Sequence, residues 1–140
     1  MTRRVVTSED GGRGVVASDA ELAPIPIGEA RLYELWRAGP SGREASLEDD
    51  WSLDPPPGGH VFRVSVFPPA ATGEKPWMHR TDTIDYALIL EGELTLVTDT
   101  GETLLRPGDV VVQQGANHGW INRTDRPVRM VVVLIDRKPA

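Results

Sequence analysis

Residues 73–122 read GEKPWMHRTDTIDYALILEGELTLVTDTGETLLRPGDVVVQQGANHGWIN, and this stretch decides the fold. Its apolar residues fall into short runs at residues 84–90, 94–97 and 110–112. Turn-forming residues separate the runs, namely Glu91-Gly92, Asp99-Thr100-Gly101 and Pro107-Gly108-Asp109. Short runs of branched apolar residues between such turns are typical of β-strands. Because the turns recur about every 8–12 residues, the sequence predicts an all-β sandwich or barrel.

Similar runs continue the strand pattern on both sides of this stretch, at residues 5–6, 15–16, 61–67 and 128–135. Residues 29–38 fit two patterns. Leu32, Leu35 and Trp36 have helical spacing, whereas Leu32, Glu34 and Trp36 alternate as on a strand. The pattern alone does not choose between a helix and a strand here.

We expect a single domain with two parts. Residues 60–136 form the barrel core, and residues 1–59 add N-terminal strands and a loop that packs on the barrel. The loop at residues 39–59 carries an acidic run at 48–50 and ends in the proline-rich residues 55–59. Since carboxylates and prolines do not join a central ladder, we expect a surface loop, or a lid over one end of the barrel, rather than a core strand.

Composition limits the classes of function. The chain has 140 residues, a net charge of −6 and no cysteine. The negative charge disfavours binding to nucleic acid or to an anionic membrane. The lack of cysteine excludes disulfides, thiol nucleophiles and cysteine-bound metal sites. No apolar run has the length of a membrane-spanning helix or of a signal peptide, so we expect a cytoplasmic protein.

Three histidines, His60, His79 and His118, are the only imidazoles in the sequence. A metal site would have to combine them with carboxylates, a ligand set that suits Fe, Mn, Ni or Zn. His79 precedes one predicted strand and His118 opens another, so they can converge only if the sheet curls on itself. His60 begins the strand at 61–67, and we expect it at the rim of the barrel rather than among metal ligands.

Four residues of the first half of this stretch lie at the spacing of a known motif. The first motif of the cupin superfamily runs Gly, five residues, His-x-His, three or four residues, Glu, six residues, Gly. Gly73, His79, Asp85 and Gly92 occupy the corresponding positions. This half of the stretch therefore resembles the first cupin motif.

The second half resembles the end of the second cupin motif, Pro-x-Gly-x-x-His-x-x-x-Asn, through Gly115, His118 and Asn122. The phrases LEGEL at 90–94 and RPGDVVVQ at 106–113 strengthen the resemblance. It implies an antiparallel jelly-roll barrel, also called a double-stranded β-helix, with an N-terminal strand extension. The resemblance is to a small single-domain bacterial cupin with a conserved barrel of the cupin 2 type.

The sequence departs from the cupin pattern at three positions. Thr81 stands where the second histidine is expected, Asp85 replaces the glutamate, and Gln113 replaces the proline. By the resemblance, the catalytic or metal-binding set is reduced to His79, Asp85 and His118. Two imidazoles and one carboxylate are the ligands of the facial triad in non-haem Fe(II) oxygenases. The same set would also suit a metal-free pocket in which a histidine is the general base and Asp85 orients it.

Aromatic residues flank both histidines. Strand alternation places Trp120 on the same side as His118, whereas Tyr86, next to Asp85, should face away from the pocket. Arginine and amide side chains are anchors for an anionic or carbonyl-bearing substrate. The predicted substrate pocket consists of Trp77, Thr81, Gln113, Trp120 and Arg63, with Arg80 as a further anchor.

We therefore expect a cupin that binds a small organic molecule inside its barrel. The first hypothesis is a metal-dependent oxygenase, isomerase or lyase. The alternatives are a metal-free isomerase, dehydratase or cyclase, and a non-catalytic ligand-binding cupin, because one barrel hosts many chemistries. We also expect a homodimer, in which the N-terminal extension pairs with the edge of a second subunit.

Overall fold

Eleven β-strands form the regular secondary structure of residues 1–45 and 51–137, which the computed structural model describes. In chain order they are β1 (Thr2–Asp10), β2 (Arg13–Leu22), β3 (Ile25–Ile27), β4 (Ala30–Ala38), β5 (His60–Phe67), β6 (Thr83–Glu91), β7 (Leu94–Thr98), β8 (Gly101–Leu105), β9 (Val110–Gln114), β10 (His118–Ile121) and β11 (Val128–Asp136). The described residues contain no helix, which confirms the predicted all-β class. They accordingly provide no helix that could span a membrane.

Two antiparallel sheets enclose the interior. One has six strands in the order β3-β4-β5-β11-β6-β9, and the other has three in the order β10-β7-β8. The strands β1 and β2 form a separate hairpin. The core contains the inward-facing apolar side chains Val61, Ala87, Ile89, Leu94, Leu105, Val128, Met130, Val132 and Leu134. This arrangement confirms the predicted jelly-roll barrel.

Residues 30–38 form strand β4 rather than a helix. β4 pairs with β5 along most of its length, from Arg31 opposite Val66 to Ala38 opposite His60. Its side chains at 32–35 are all buried. Leu32 lines the cavity, whereas Tyr33 and Leu35 belong to a cluster against which Leu22 of the hairpin packs. Backbone pairing and burial on both faces outweigh the helical spacing of the apolar residues. Thus β4, although it precedes residue 60, lies in the same sheet as the barrel strands.

The loop at residues 39–59 has no strand in its described parts, 39–45 and 51–59, as expected. The acidic run at 48–50 lies outside the described residues. The part at 51–59 packs against the barrel, with Pro55 buried. The described loop is thus draped over one end of the sheet.

Candidate functional site

A cavity of about 770 Å³ lies inside the barrel. Its walls come from both sheets and from the segments that precede β5 and β6. The apolar part of the wall includes Leu32, Leu53, Phe67, Ile121, Met130, Val132 and Leu134. A mostly apolar concave space with a few polar groups is the usual form of a small-molecule site.

His79 and His118 lie side by side on this wall, as the sequence predicts. The two residues form a pair of backbone hydrogen bonds, with the N–H of each donating to the carbonyl of the other at 2.9 and 3.0 Å. Their ring centroids are 4.5 Å apart. The curl of the sheet therefore brings together two imidazoles that are 39 positions apart in the chain.

Gly119 makes this close approach feasible. A Cβ atom at this position would lie 2.9 Å from both Met78 Sδ and the Trp77 carbonyl oxygen. Only glycine lets the segment before β6 lie this close to β10. The sequence analysis missed this role, although a glycine inside a short strand is a signal of close backbone contact.

The two imidazoles differ in their surroundings. His118 is 2% exposed, and its Nδ1 lies 2.8 Å from the carbonyl oxygen of Ala116. Since a carbonyl only accepts, Nδ1 carries a proton, and in a neutral imidazole the acceptor nitrogen is then Nε2. His79 is half-buried, and its buried Nδ1 has no hydrogen-bond partner among the described residues. Burial lowers the pKa of His79, and the neighbouring His118 lowers it further.

Two tryptophans extend the histidine pair into a row of four rings. Trp77 stacks on His79 with centroids 4.2 Å apart and an interplanar angle of 12°. Trp120 contacts His118 edge-on, with centroids 5.6 Å apart. The position of Trp120 confirms the side predicted by strand alternation. All four of these residues line the cavity.

Asp85 reaches the cavity wall from β6, but it is held by neighbouring hydroxyl groups. Its Oδ1 lies 2.6 Å from Thr83 Oγ1, which lies 2.8 Å from Thr81 Oγ1. A hydroxyl has one proton, so Thr83 donates to the carboxylate and accepts from Thr81. Burial raises the pKa of Asp85, whereas the hydrogen bond from Thr83 lowers it.

A buried ion pair lies on the β4–β5 side of the cavity. Arg63 is 4% exposed, its Nε is 3.6 Å from Glu34 Oε1, and its Nη2 donates to the Leu53 carbonyl at 2.7 Å. The other oxygen of Glu34 accepts from the indole N–H of Trp51 at 2.7 Å. Burial lowers the pKa of Arg63, and the nearby carboxylate of Glu34 opposes this shift. Arg63 thus faces the cavity and also holds residues of the draped loop.

Arg37 completes the attachment of segment 51–54. Its guanidinium donates to the carbonyl oxygens of Ser52 at 3.0 Å and Asp54 at 2.5 Å. Leu53 and Asp54 consequently lie on the cavity wall. The sequence analysis identified neither Glu34 nor Arg37 as a residue that shapes the site.

Of the residues predicted to form the pocket, all but one line the cavity. The residues Arg63, Trp77, Arg80, Thr81 and Trp120 line the cavity. Gln113 is buried opposite Asp85 on β9, but it is not among the described residues of the wall. Tyr86 faces outward, as predicted. His60 is half-buried and lies outside the wall, which agrees with the predicted position at the rim.

The predicted ligands His79, His118 and Asp85 suit a metal ion only in part. Two neutral imidazoles are good ligands for a divalent metal. However, no group of three or more histidine, aspartate or glutamate side chains has the spacing of a metal site within residues 1–45 and 51–137. Asp85, the predicted third ligand, is occupied by its hydrogen bond with Thr83.

Comparison with known proteins points to one family. The family model for the Cupin domain (Cupin_2) matches residues 63–134. Phomopsin biosynthesis cluster protein D of Diaporthe leptostromiformis is 47% identical over 85 residues, which cover 59% of this chain and 43% of that protein. A cupin-domain-containing oxidoreductase of Hypocrea virens is 41% identical over 85 residues, which cover 58% of this chain and 42% of that protein.

The chain spans less than half the length of these curated relatives. Both relatives are fungal, so they give no support to the bacterial type expected from the sequence. Solved structures agree on the fold. The polyketide cyclase RemF of Streptomyces resistomycificus has a TM-score of 0.59 at 19% identity, covering 86% of this chain and 78% of its own. A predicted oxalate decarboxylase of Thermotoga maritima has a TM-score of 0.57 at 19% identity, covering 82% and 93%.

Proposed function

We propose that this chain, which belongs to the cupin domain family, is an enzyme acting on a small organic molecule held inside its barrel. The observation that carries the proposal is the pair of adjacent imidazoles, His79 and His118, on the wall of a cavity of about 770 Å³. A cavity of this size suits a drug-sized or smaller ligand. The names of the curated relatives, an oxidoreductase and a biosynthesis cluster protein, agree with an enzymatic role.

The cavity wall supports a mainly apolar substrate with one polar end. The rings of Trp77 and Trp120, which both line the cavity, offer aromatic contacts to an apolar or flat molecule. Arg63 supplies a buried positive charge, and Arg80 supplies a second one at the surface. Because Glu34 balances the charge of Arg63 and carboxylates such as Asp85 also lie on the wall, the guanidinium groups favour a substrate with a hydrogen-bond acceptor, such as a carbonyl or carboxylate oxygen, at its polar end.

The geometry best supports proton transfer by the histidine pair. The Ala116 carbonyl holds the Nδ1–H of His118, so its Nε2 is available as an acceptor. His79 is half-buried beside it and forms the second proton-accepting group. A neutral imidazole that removes a proton from one carbon and returns it to another supports isomerisation. Delivery of that proton to a leaving hydroxyl group supports dehydration, and delivery to the oxygen of a carbonyl group attacked by the resulting carbanion supports cyclisation.

A metal-dependent reaction is the second candidate, and one observation favours it. A histidine whose Nδ1–H is held by a carbonyl group is typical of metal-bound histidine, and His118 has this arrangement. His79 and His118 would hold Fe, Mn, Ni or Zn, and Asp85 would join them after release from Thr83. The metal would supply Lewis-acid or dioxygen chemistry.

Elemental analysis separates the two candidates. The wild type and the variants His79→Ala, His118→Ala and His60→Ala are purified, incubated with each metal at pH 8, and desalted. One equivalent of metal in the wild type and in His60→Ala, but not in the other two variants, supports the metal-dependent candidate. A metal-free wild type supports the proton-transfer candidate.

Mass spectrometry of co-purified ligands tests the proposal itself. Ligand retained by the wild type and by His60→Ala, but lost from His79→Ala and His118→Ala, supports a site centred on the pair. Equal retention by all four proteins contradicts it. A retained ligand that returns unchanged after incubation under all metal conditions favours a non-catalytic binding protein.

A further inference from the structure

The cationic side chain on the inner wall of the cavity already has a counter-charge. Arg63 lines the cavity and is 4% exposed. Glu34 of β4 is opposite Arg63 of β5 in the strand register, so the two side chains lie on the same face of the sheet. Both are buried, and little water is present to screen the attraction between them. Glu34 therefore cancels the charge that a ligand would meet at Arg63.

This pairing leaves hydrogen-bond donors of Arg63 unused. Its Nε lies 3.6 Å from Glu34 Oε1, which is beyond hydrogen-bond distance. Its Nη2 donates to the Leu53 carbonyl at 2.7 Å. Within residues 1–45 and 51–137, Nη1 has no hydrogen-bond partner. Since a guanidinium has five N–H groups, Arg63 can still donate to an oxygen atom of a molecule in the cavity.

The other charges near Arg63 do not make the cavity positive. Arg37 is a second buried cation, whereas Asp54 and Asp85 place two carboxyl groups on the wall. Burial lowers the pKa of Arg63, and the carboxylates of Glu34, Asp85 and Asp54 oppose this shift, so all three lie close enough to act on it. Two guanidinium groups thus lie near three carboxyl groups, and the sum is not positive even when Asp85 is protonated.

The rim of the cavity shows the same balance. It has two acidic and two basic side chains, all of them exposed, namely Glu29, Glu74, Lys75 and Arg80. The chain as a whole carries a net charge of −6. Neither the rim nor the overall charge of the protein therefore attracts an anion towards the cavity.

We propose that Glu34 is a positioning residue that makes the cavity select a neutral carbonyl compound over a carboxylate. The inference rests on the proposed function, because it concerns the molecule held in the barrel. A carboxylate bound to Arg63 would compete with Glu34 for one cation, and one of the two anions would remain buried without a counter-charge. A carbonyl oxygen accepts from the free N–H groups of Arg63 and brings no charge into the cavity.

Two probes of the same shape and different charge test this selectivity. In 2-acetylnaphthalene the carbonyl carbon bears a methyl group, and in 2-naphthoate it bears an anionic oxygen. Each probe is titrated into the full chain at pH 8 in the presence of EDTA, so that no added metal contributes charge, and binding is followed by NMR of the probe. We expect the wild type to bind 2-acetylnaphthalene roughly tenfold or more tightly than 2-naphthoate.

Glu34→Gln shows whether Glu34 causes the preference. Glutamine keeps an oxygen that can accept from the indole N–H of Trp51, but it lacks the charge that balances Arg63. We expect the variant to bind 2-naphthoate roughly tenfold more tightly than the wild type does, and 2-acetylnaphthalene no more tightly. A merely structural role of Glu34 would weaken the binding of both probes. Glu102→Gln, which removes the same charge from an exposed pair with Arg123, is the matched control and should change neither affinity.

A double variant guards against a folding defect, since Glu34→Gln leaves Arg63 buried without its anion. Glu34→Gln/Arg63→Gln removes both charges, and it should lose the gain in 2-naphthoate binding. Circular dichroism checks that each variant is folded, and the wild-type preference needs no variant at all.

The inference is overturned by a wild type that binds 2-naphthoate as tightly as 2-acetylnaphthalene, or that binds neither probe. It is also overturned by a folded Glu34→Gln variant that binds 2-naphthoate no more tightly than the wild type does, or by a gain that persists in the double variant. Failure of the proposed function has a different signature, namely equal retention of co-purified ligand by the wild type and the three histidine variants.

Discussion

Thr81 places a hydroxyl on the cavity wall two residues after His79, where cupin motifs have a second histidine. His79 lines the same cavity. Under the metal-dependent candidate, Thr81→His would add a third imidazole beside the existing pair. We expect at least tenfold tighter binding of Ni or Zn, measured by competition with a coloured chelator. Asp82→His, at an exposed neighbour, is the control, and equal affinities of both variants would contradict the expected geometry.

Asp85 is expected to make the stability of the metal-free protein depend on pH. Burial raises its pKa in the folded state above the ordinary value of 3.8. The folded protein therefore holds the neutral carboxyl at little cost below that value. As the pH rises through the raised pKa, the buried charge lowers the free energy of unfolding.

Asp85→Asn removes this charge and leaves an oxygen that accepts from Thr83. In EDTA-treated protein, we expect its free energy of unfolding relative to the wild type to increase from pH 4 to pH 7, measured with urea. Asp82→Asn, at an exposed aspartate, should show no such trend. A constant difference between Asp85→Asn and the wild type at both pH values would contradict the argument.

Strand β10 brings His118 next to His79, which lies in the segment before β6, only because the strand contains Gly119. In Gly119→Ala, the new Cβ would meet Met78 Sδ and the Trp77 carbonyl at 2.9 Å, so the segment before β6 must move away. We expect a loss of about 1–3 kcal/mol in unfolding free energy and altered imidazole NMR shifts of both histidines. Gly101→Ala is the control, since a Cβ there meets no atom within 4 Å. Unchanged imidazole shifts in Gly119→Ala would contradict this account.

The ion pair between β4 and β5 is expected to matter more for stability than ion pairs at the surface. Arg63→Met leaves Glu34 buried without its cation and releases the Leu53 carbonyl, so we expect a loss of about 3 kcal/mol or more. Arg123→Met, which breaks the exposed pair with Glu102, should change the urea midpoint little. Similar midpoints for the two variants would show that the buried pair has no special role.

The local sequence pattern predicted those strands in which buried and exposed residues alternate regularly. It was ambiguous where both faces of a strand are buried. Residues 61–67, 84–90 and 128–135 alternate, and each lies in a strand. Residues 32–35 are buried without a break, so their apolar spacing fits a helix as well as a strand. Residues 30–38 form a strand rather than a helix because they pair with β5, which is distant in sequence.

The same distinction applies to the site. His79 and His118 were predictable because the spacing of each motif is local. The residues that hold segment 51–54 were not, because Glu34 and Arg37 meet it only after β4 pairs with β5. Charged residues on a strand ordinarily indicate a solvent-facing side, and no local signal identified these two as buried.

In the whole molecule, the part of the chain that matches the family model is shorter than the part that forms the folded barrel. The match covers residues 63–134, yet β4 lies before it and supplies buried side chains to the sheet. The hairpin of β1 and β2 contributes much less, since residues 7–17 are all exposed. A two-stranded hairpin without a covered face adds little stability of its own.

Two truncations test where the folding unit begins. A chain lacking residues 1–22 keeps β4 and should unfold cooperatively in urea, with a midpoint moderately below that of the full chain. A chain beginning at residue 60 loses the full ladder of β5 with β4 and leaves Arg63 without Glu34. We expect this fragment to give no cooperative transition by far-UV circular dichroism, because an uncompensated buried charge and an exposed sheet edge both oppose folding. A cooperative transition of the shorter fragment near the wild-type midpoint would show that residues 60–137 fold without β4.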